Sequence, residues 1–311
     1  MQRITLDADP LRVAIDPALG ATLTEFSLRG PCDDRYPLMR RAPTAPADTA
    51  QGASFLMAPW TNRIRDARFS FNNQTHQLRP NFPDATAIHG VVRDAPWRIT
   101  DRTPASARMV YDSRAHEYTN FPFAFAAVFR VELAPGELTL DLSITNLDDQ
   151  PIPAGCGHHP YFPRTLMAAG EDAELTAPVN TRYPAKNCLP TGPAAHDAVC
   201  DTLTKGGPVG NPNLDDVFAG FGGAATITWP RSRVRMTMDC SDAFNHLVVF
   251  TPRLDPADPN SPPLPWFCIE PCTMPNDGFN LMNSGQTDTG VRTLAPGQTL
   301  DTQVRFRIER I

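Results

Sequence analysis

Phe123-Ala-Phe-Ala-Ala-Val-Phe-Arg-Val-Glu-Leu-Ala-Pro-Gly-Glu-Leu-Thr-Leu-Asp-Leu-Ser-Ile-Thr145 decides the fold class. Phe123, Phe125, Ala127, Phe129, Val131 and Leu133 fall on one side of a period of two. Ala124, Ala126, Val128, Arg130 and Glu132 fall on the other. After Ala134-Pro-Gly136, Leu138, Leu140, Leu142 and Ile144 alternate with Thr139, Asp141, Ser143 and Thr145. Successive strand side chains point to opposite faces, so two alternating runs joined by a tight turn predict an antiparallel hairpin with one wet face.

The alternation recurs outward from this hairpin. Val234, Met236 and Met238 show it, as do Val304, Phe306 and Ile308 near the C-terminus. Shorter strand signals are Phe69-Ser-Phe71 before Asn72-Asn73, and Ala225-Thr-Ile-Thr-Trp229. No segment carries a capped helical stripe of ten or more residues. Residues 165–215, rich in Pro, Ala, Gly and Asn, read as long loops. With no composition shift and no repeat period, the chain reads as one all-β domain over residues 1–311, a large two-sheet antiparallel β-sandwich.

Composition narrows the function classes. The chain has 311 residues, 41% hydrophobic and 20% charged, as in an ordinary globular protein large enough to bury a sizeable core. A net charge of −6 without a basic tract argues against nucleic acid as a partner. The 33 prolines, roughly twice the usual share, predict many turns and ordered loops. The N-terminus lacks the apolar core of a signal peptide, and no run approaches the roughly 18 apolar residues of a membrane helix. The seven cysteines form no Cys-x-x-Cys pair, and their odd number suits a reducing compartment. These features predict a cytoplasmic protein.

Several short stretches carry polar groups in unusual settings. In Gly157-His-His-Pro-Tyr-Phe162, adjacent histidines on a strand must face opposite ways, so at most one serves a given pocket. The ordinary reading is one surface histidine and one hydrogen-bonded core histidine. Without a nearby His-x-His or Cys-x-x-Cys, zinc is not expected. Phe267-Cys-Ile-Glu-Pro-Cys-Thr273 is an apolar strand carrying one acid, Glu270. A buried carboxyl needs a structural partner or a catalytic task, and burial raises its pKa.

Trp60-Thr-Asn-Arg-Ile64 sets Asn62 and Arg63 beside an indole; the arginine fork suits hydroxyl or carboxylate oxygens and an aromatic ring can stack on the apolar face of a sugar, although a surface arginine is the commoner case. His89 before Gly90 is a ligand-binding histidine or a turn residue. Asp215 and Asp216, beside Phe218, bind a hydroxyl or cap a turn.

In order and together, these motifs resemble the aldose 1-epimerase (galactose mutarotase) family over nearly the whole length. The markers are Pro-Trp-x-Asn-Arg-Ile at 59–64, His-Gly at 89–90 followed by Trp97, and His-Pro-Tyr-Phe at 159–162. Leu-Asp at 214–215, Ile-Glu-Pro-x-Thr at 269–273 and Phe279-Asn280 complete them. The resemblance implies a galactose mutarotase-like supersandwich that interconverts the α and β anomers of a free aldose. It implies Glu270 as general base and His159 as general acid, with Arg63, His89, Asp215 and Asn62 binding the sugar. His158 is structural on this reading. The implied partner is a monosaccharide, handled by a monomer or homodimer with no metal or organic cofactor.

Three departures touch sugar preference: Asp66-Ala67-Arg68 stands where many members have a glycine, Pro163-Arg164 where many have Asn-Leu, and residues 165–215 match no assignable part of the family pattern. Alternatives on the same fold are a non-catalytic sugar sensor, a sugar-phosphate epimerase, and a glycosidase or lyase using Asp215 with Glu270. Arg65, Arg68, Arg93 and Arg164 lie near the motifs but form no recognisable phosphate-binding set.

Overall fold

The computed structural model describes residues 3–311, and in it the deciding hairpin forms as Phe125–Ala134 and Glu137–Asn146. Its register sets Phe129 opposite Leu142 and Val131 opposite Leu140. The apolar face is buried from Phe125 to Leu133, whereas Arg130 on the other face is exposed. Phe121 and Phe123 precede the ladder rather than belonging to it, packing edge to face at 5.4 Å.

This hairpin lies within a nine-stranded antiparallel sheet. From one edge, its order begins Arg98–Arg102, Ser106–Asp112, Phe125–Ala134, Glu137–Asn146 and Thr299–Arg310. It continues with Val234–Cys240, Ala224–Trp229, Glu174–Thr176 and Gly207–Pro208. The C-terminal strand therefore sits at the centre, where it pairs on both sides.

A ten-stranded sheet packs against it. Its order begins Ile4–Ala8, Leu11–Asp16, Thr22–Arg29 and Ser54–Met57, with Arg35–Met39 pairing to Thr22–Arg29. The path then crosses Gly157–Pro163, Trp266–Cys272, His246–Phe250, Asp215–Ala219 and Thr181–Arg182. Phe26 and Phe162 from this sheet each meet Phe306 of the other at 6.3 Å between ring centroids. A continuous cluster of buried apolar residues fills the space between the sheets. The β-sandwich expected from alternation is thus observed.

Residues 165–215 hold more structure than loops. Besides short strands, they contain the helix Ala198–Lys205. The Asp197 carboxylate accepts from the amides of Val199 and Cys200, and Gly206 ends the helix at φ 78°. Capping signals were present in the sequence, but eight residues are too few for an apolar stripe to emerge. No helix among the described residues is long and apolar enough to cross a membrane.

Candidate functional site

A strand in the middle of a two-layer sandwich has a core face and an outer face, and the ten-stranded sheet uses both. Leu56, Phe162, Phe267, Ile269, Leu247 and Val249 belong to the main core. Their alternates Phe55, Met57, Tyr161, Cys268, Cys272, Val248 and Val217 form a second apolar cluster on the outer face. His159 and Glu270 share this outer set, because they alternate with Phe162 and Ile269 in the same period of two.

The register brings them together. Gly157 pairs with Cys272 and Tyr161 with Cys268, so the unbroken count between them sets His159 across from Glu270. His159 Nε2 lies 3.2 Å from Glu270 Oε1. Pairing is interrupted at this point, and each site residue is followed by a proline, Pro160 or Pro271, that has no N–H to donate. Both side chains are nearly sealed, with Glu270 2% and His159 7% exposed.

The imidazole of His159 packs against Phe55, at 4.4 Å between centroids, and Tyr161, at 4.7 Å, while those two rings lie 6.4 Å from each other. His89 meets it edge-on at 5.3 Å. His89 Nδ1 also contacts Met57 Sδ at 2.9 Å. Both His89 and Asn62 hold left-handed backbone, at φ 63° and 47°, which is uncommon outside glycine. The His89 amide donates to the Asn62 carbonyl at 2.8 Å, tying the two strained residues together. Gly90 fixes the loop from the other side: a Cβ there would lie 2.0 Å from the Ala58 carbonyl oxygen.

Arg63 donates through Nε to Asp84 at 2.9 Å and through Nη1 to Asn62 Oδ1 at 3.1 Å. Its Nη2 has no protein hydrogen bond among the described residues. Asp215 accepts from the Cys188 thiol at 3.0 Å. Cys188 sits at the tip of the small hairpin joining Ala185–Lys186 to Leu189–Pro190. Arg65 holds that hairpin through the Pro190 carbonyl at 3.0 Å, and Asn276 through the Cys188 carbonyl at 2.5 Å.

Burial pushes Glu270 well above the usual carboxyl range; nearby Asp215 adds to the effect and Arg63 opposes it. Burial pulls His159 down to about 3, helped by the Arg93 and Arg40 cations. It also drives His89 well below its ordinary value, with His159 and then Arg93 and Arg63 contributing. The resting site therefore favours a neutral carboxylic acid beside a neutral imidazole. Glu270 Oε2 and His159 Nδ1 are buried without a hydrogen-bond partner. Such a pair can exchange a proton with a ligand at little electrostatic cost, since one site gains what the other gives up.

The family model for aldose 1-epimerases matches residues 2–307. The chain belongs to the aldose 1-epimerase family. The uncharacterised protein YphB of Escherichia coli is 26% identical over 284 residues, covering 89% of this chain and 90% of YphB. Among solved structures, a galactose mutarotase-like protein of Clostridium acetobutylicum superposes with a TM-score of 0.82 at 19% identity. That match covers 99% of this chain and 95% of the other. A galactose 1-epimerase from Lactobacillus acidophilus gives 0.73 at 20% identity, with 99% and 94% covered. These likenesses establish the galactose mutarotase-like fold.

Within this aldose 1-epimerase fold, His159, Glu270 and His89 converge on one face, and charge coupling ties Arg63 and Asp215 to Glu270. The double-histidine motif departs from the ordinary reading of such a pair. His158 is not a hydrogen-bonded core residue, and neither histidine is at the surface. His158 is 1% exposed, lies 6.1 Å from both Phe129 and Phe244, and has no partner on either nitrogen. Asp215 and Asp216 lie in a strand rather than capping a turn, and Asp216 pairs with Arg182 at 3.5 Å.

Of the four arginines near the motifs, Arg93 alone stands by the pair, with its guanidinium 5.1 Å from the Phe55 ring. Arg65 is held by Asp277 and Arg164 by Asp172. Sequence reasoning missed Arg40, which lies over the Tyr161 ring at 3.7 Å, as well as Cys188 and Cys268. Cys268 was findable, because it stands two residues before Glu270 on a strand. Arg40 and Cys188 reach the site only through long-range packing.

Proposed function

We propose that the chain interconverts the α and β anomers of a free aldose by opening and reclosing the hemiacetal ring. One observation carries the reading: an imidazole and a carboxyl, buried on one face, stand 3.2 Å apart with nothing else hydrogen-bonding their free atoms. Ring opening needs one proton removed from O1 and one delivered to O5. In the reactive form Glu270 is a carboxylate and His159 an imidazolium. Glu270 takes the anomeric proton while His159 protonates the ring oxygen, leaving Glu270 protonated and His159 neutral.

That product state is the one burial favours, so the proton inventory of the pair stays constant and no exchange with water is required. Rotation about C1–C2 presents the other carbonyl face. The same transfers in reverse then close the ring to the other anomer. On this reading the unused Nη2 of Arg63, the imidazole of His89 and the carboxylate of Asp215 hold sugar hydroxyls, a role supported by the Asn62 contact that orients Arg63. A positioned acid and base are each worth about 10²–10⁴-fold.

The test is polarimetry on freshly dissolved α-glucose and α-galactose. Glu270→Gln and His159→Asn should each slow rotation change by about 10²-fold or more with the fold retained by circular dichroism. Wild-type rates in either variant would refute the assignment. A wild-type protein that binds sugar without accelerating rotation would show a sensor instead.

A further inference from the structure

Ring opening leaves one donor at this face unused. Cys268 shares Glu270's face, being two residues earlier on the same strand, and pairs with Tyr161 across the seam. A ring nitrogen of His159, the Cys268 sulfur and a carboxylate oxygen of Glu270 all lie within 4.8 Å of one another, and all three residues are buried. Four-coordinate zinc holds nitrogen, oxygen and sulfur at about 2.0–2.3 Å, so its ligand atoms sit about 3.5 Å apart. His159 Nε2 and Glu270 Oε1 already stand at 3.2 Å, and the 4.8 Å bound leaves the sulfur at most about 1.3 Å to close.

We propose that His159, Cys268 and Glu270 form a binding site for a thiophilic divalent ion of the zinc class, which excludes the sugar's reacting end. The exclusion rests on the proposed function; the metal site does not. Nitrogen, thiolate and carboxylate donors select zinc-like ions over magnesium or calcium, which prefer oxygen cages. Three protein ligands leave a fourth position open for water or another small ligand.

The unpartnered Glu270 Oε2 is a second sign that this face awaits a ligand, since a buried acceptor without a partner is costly. On binding, Cys268 loses its thiol proton to solvent, and Glu270 releases any proton it holds. One thiolate and one carboxylate then balance the dication. Arg40, Arg63 and Arg93 oppose binding and Asp215 favours it. The bound ion would occupy the imidazole lone pair and the carboxylate oxygen that proton transfer needs.

The experiment uses chelator-treated full-length protein, titrated with cobalt(II) and zinc. Exposed Cys32 is replaced by serine as a background control. Cobalt should produce a thiolate-to-metal charge-transfer band, and zinc should displace it and stop mutarotation reversibly. Cys268→Ala should lose the band and retain mutarotation. Its zinc inhibition constant should rise about 100-fold or more, since even groups that merely support metal ligands cost 10–100-fold. Cys268→Ser serves if the alanine variant does not fold.

An active wild-type enzyme without the band, or unchanged zinc affinity after loss of Cys268, overturns the proposal. A wild-type protein that shows the band yet never mutarotates sugar keeps the metal site and overturns the function instead.

Discussion

Replacing His158 by leucine should remove a defined part of the acid sensitivity of this fold. His158 is 1% exposed among aromatic rings, and burial alone pulls its pKa from 6.5 to about 4. A depressed folded-state pKa means that the unfolded chain takes up the proton first. The stabilising contribution is therefore complete above pH 6.5 and is lost as pH falls through 4. Each pH unit is worth about 1.4 kcal/mol, so the whole window amounts to about 3 kcal/mol.

Leucine is close in volume and has no proton to bind, so it removes this term while adding a pH-independent packing offset. Urea unfolding at about pH 7.5 and about pH 4.5 measures both proteins, and the offset cancels in the difference. His159 and His246 titrate alike in both and cancel as well. The wild type should lose roughly 2–3 kcal/mol more than His158→Leu between the two conditions, with equal denaturant slopes. Parallel losses would refute the claim that His158 is buried neutral without a partner. Mutarotation should survive the substitution, because this side chain faces the core.

Three further outcomes follow from the site and the core. The pH profile of kcat/KM should be broad, since the active pair holds one shared proton. Its acid limb should lie well below 6.5, as His159 is held to about 3, and its alkaline limb well above 4.5, as Glu270 is raised; an acid limb at 6.5 would contradict the buried pair. Asp215→Asn should raise KM by about 10-fold while leaving kcat within a few-fold, the loss of one charged hydrogen bond worth about 1.5–3 kcal/mol at most; a collapsed kcat with unchanged KM would remove Asp215 from binding. Phe306→Ala should cost about 3–5 kcal/mol in urea melts, because its ring meets Phe26 and Phe162 between the sheets; a loss under about 1 kcal/mol would contradict that packing.

The fold was legible because antiparallel strands with one buried face write their period into the sequence. Phe125 to Leu133 and Leu138 to Ile144 could hardly be read otherwise. The helix at Ala198–Lys205 was hidden because two turns bury only Cys200 and Leu203, too few to define a stripe. At the site, alternation explained why only one of His158 and His159 can face a ligand. It could not reveal that the other lacks any hydrogen bond, because that depends on which rings the opposite sheet supplies. The juxtaposition of His159 with Glu270 is a matter of register between strands more than a hundred residues apart in sequence. Motif resemblance pointed to it, and periodicity alone could not. Cys188 and Arg40 come from segments with no pattern, and their placement follows from packing.

The interrupted seam between Gly157–Pro163 and Trp266–Cys272 has a mechanical consequence. Between the Gly157–Cys272 and Tyr161–Cys268 pairs, the backbones are not laddered, and Pro160 and Pro271 cannot supply the missing donors. The 3.2 Å gap between imidazole and carboxyl can therefore widen without rupturing backbone hydrogen bonds across that point, while the flanking pairs keep both strands in register. At this point the two strands are held instead from their outer sides, His159 opposite Phe55 and Glu270 opposite Val248. If the proposed reaction holds, adjustment to an entering sugar should fall on His159 and Glu270, between flanking pairs that keep the strands in register.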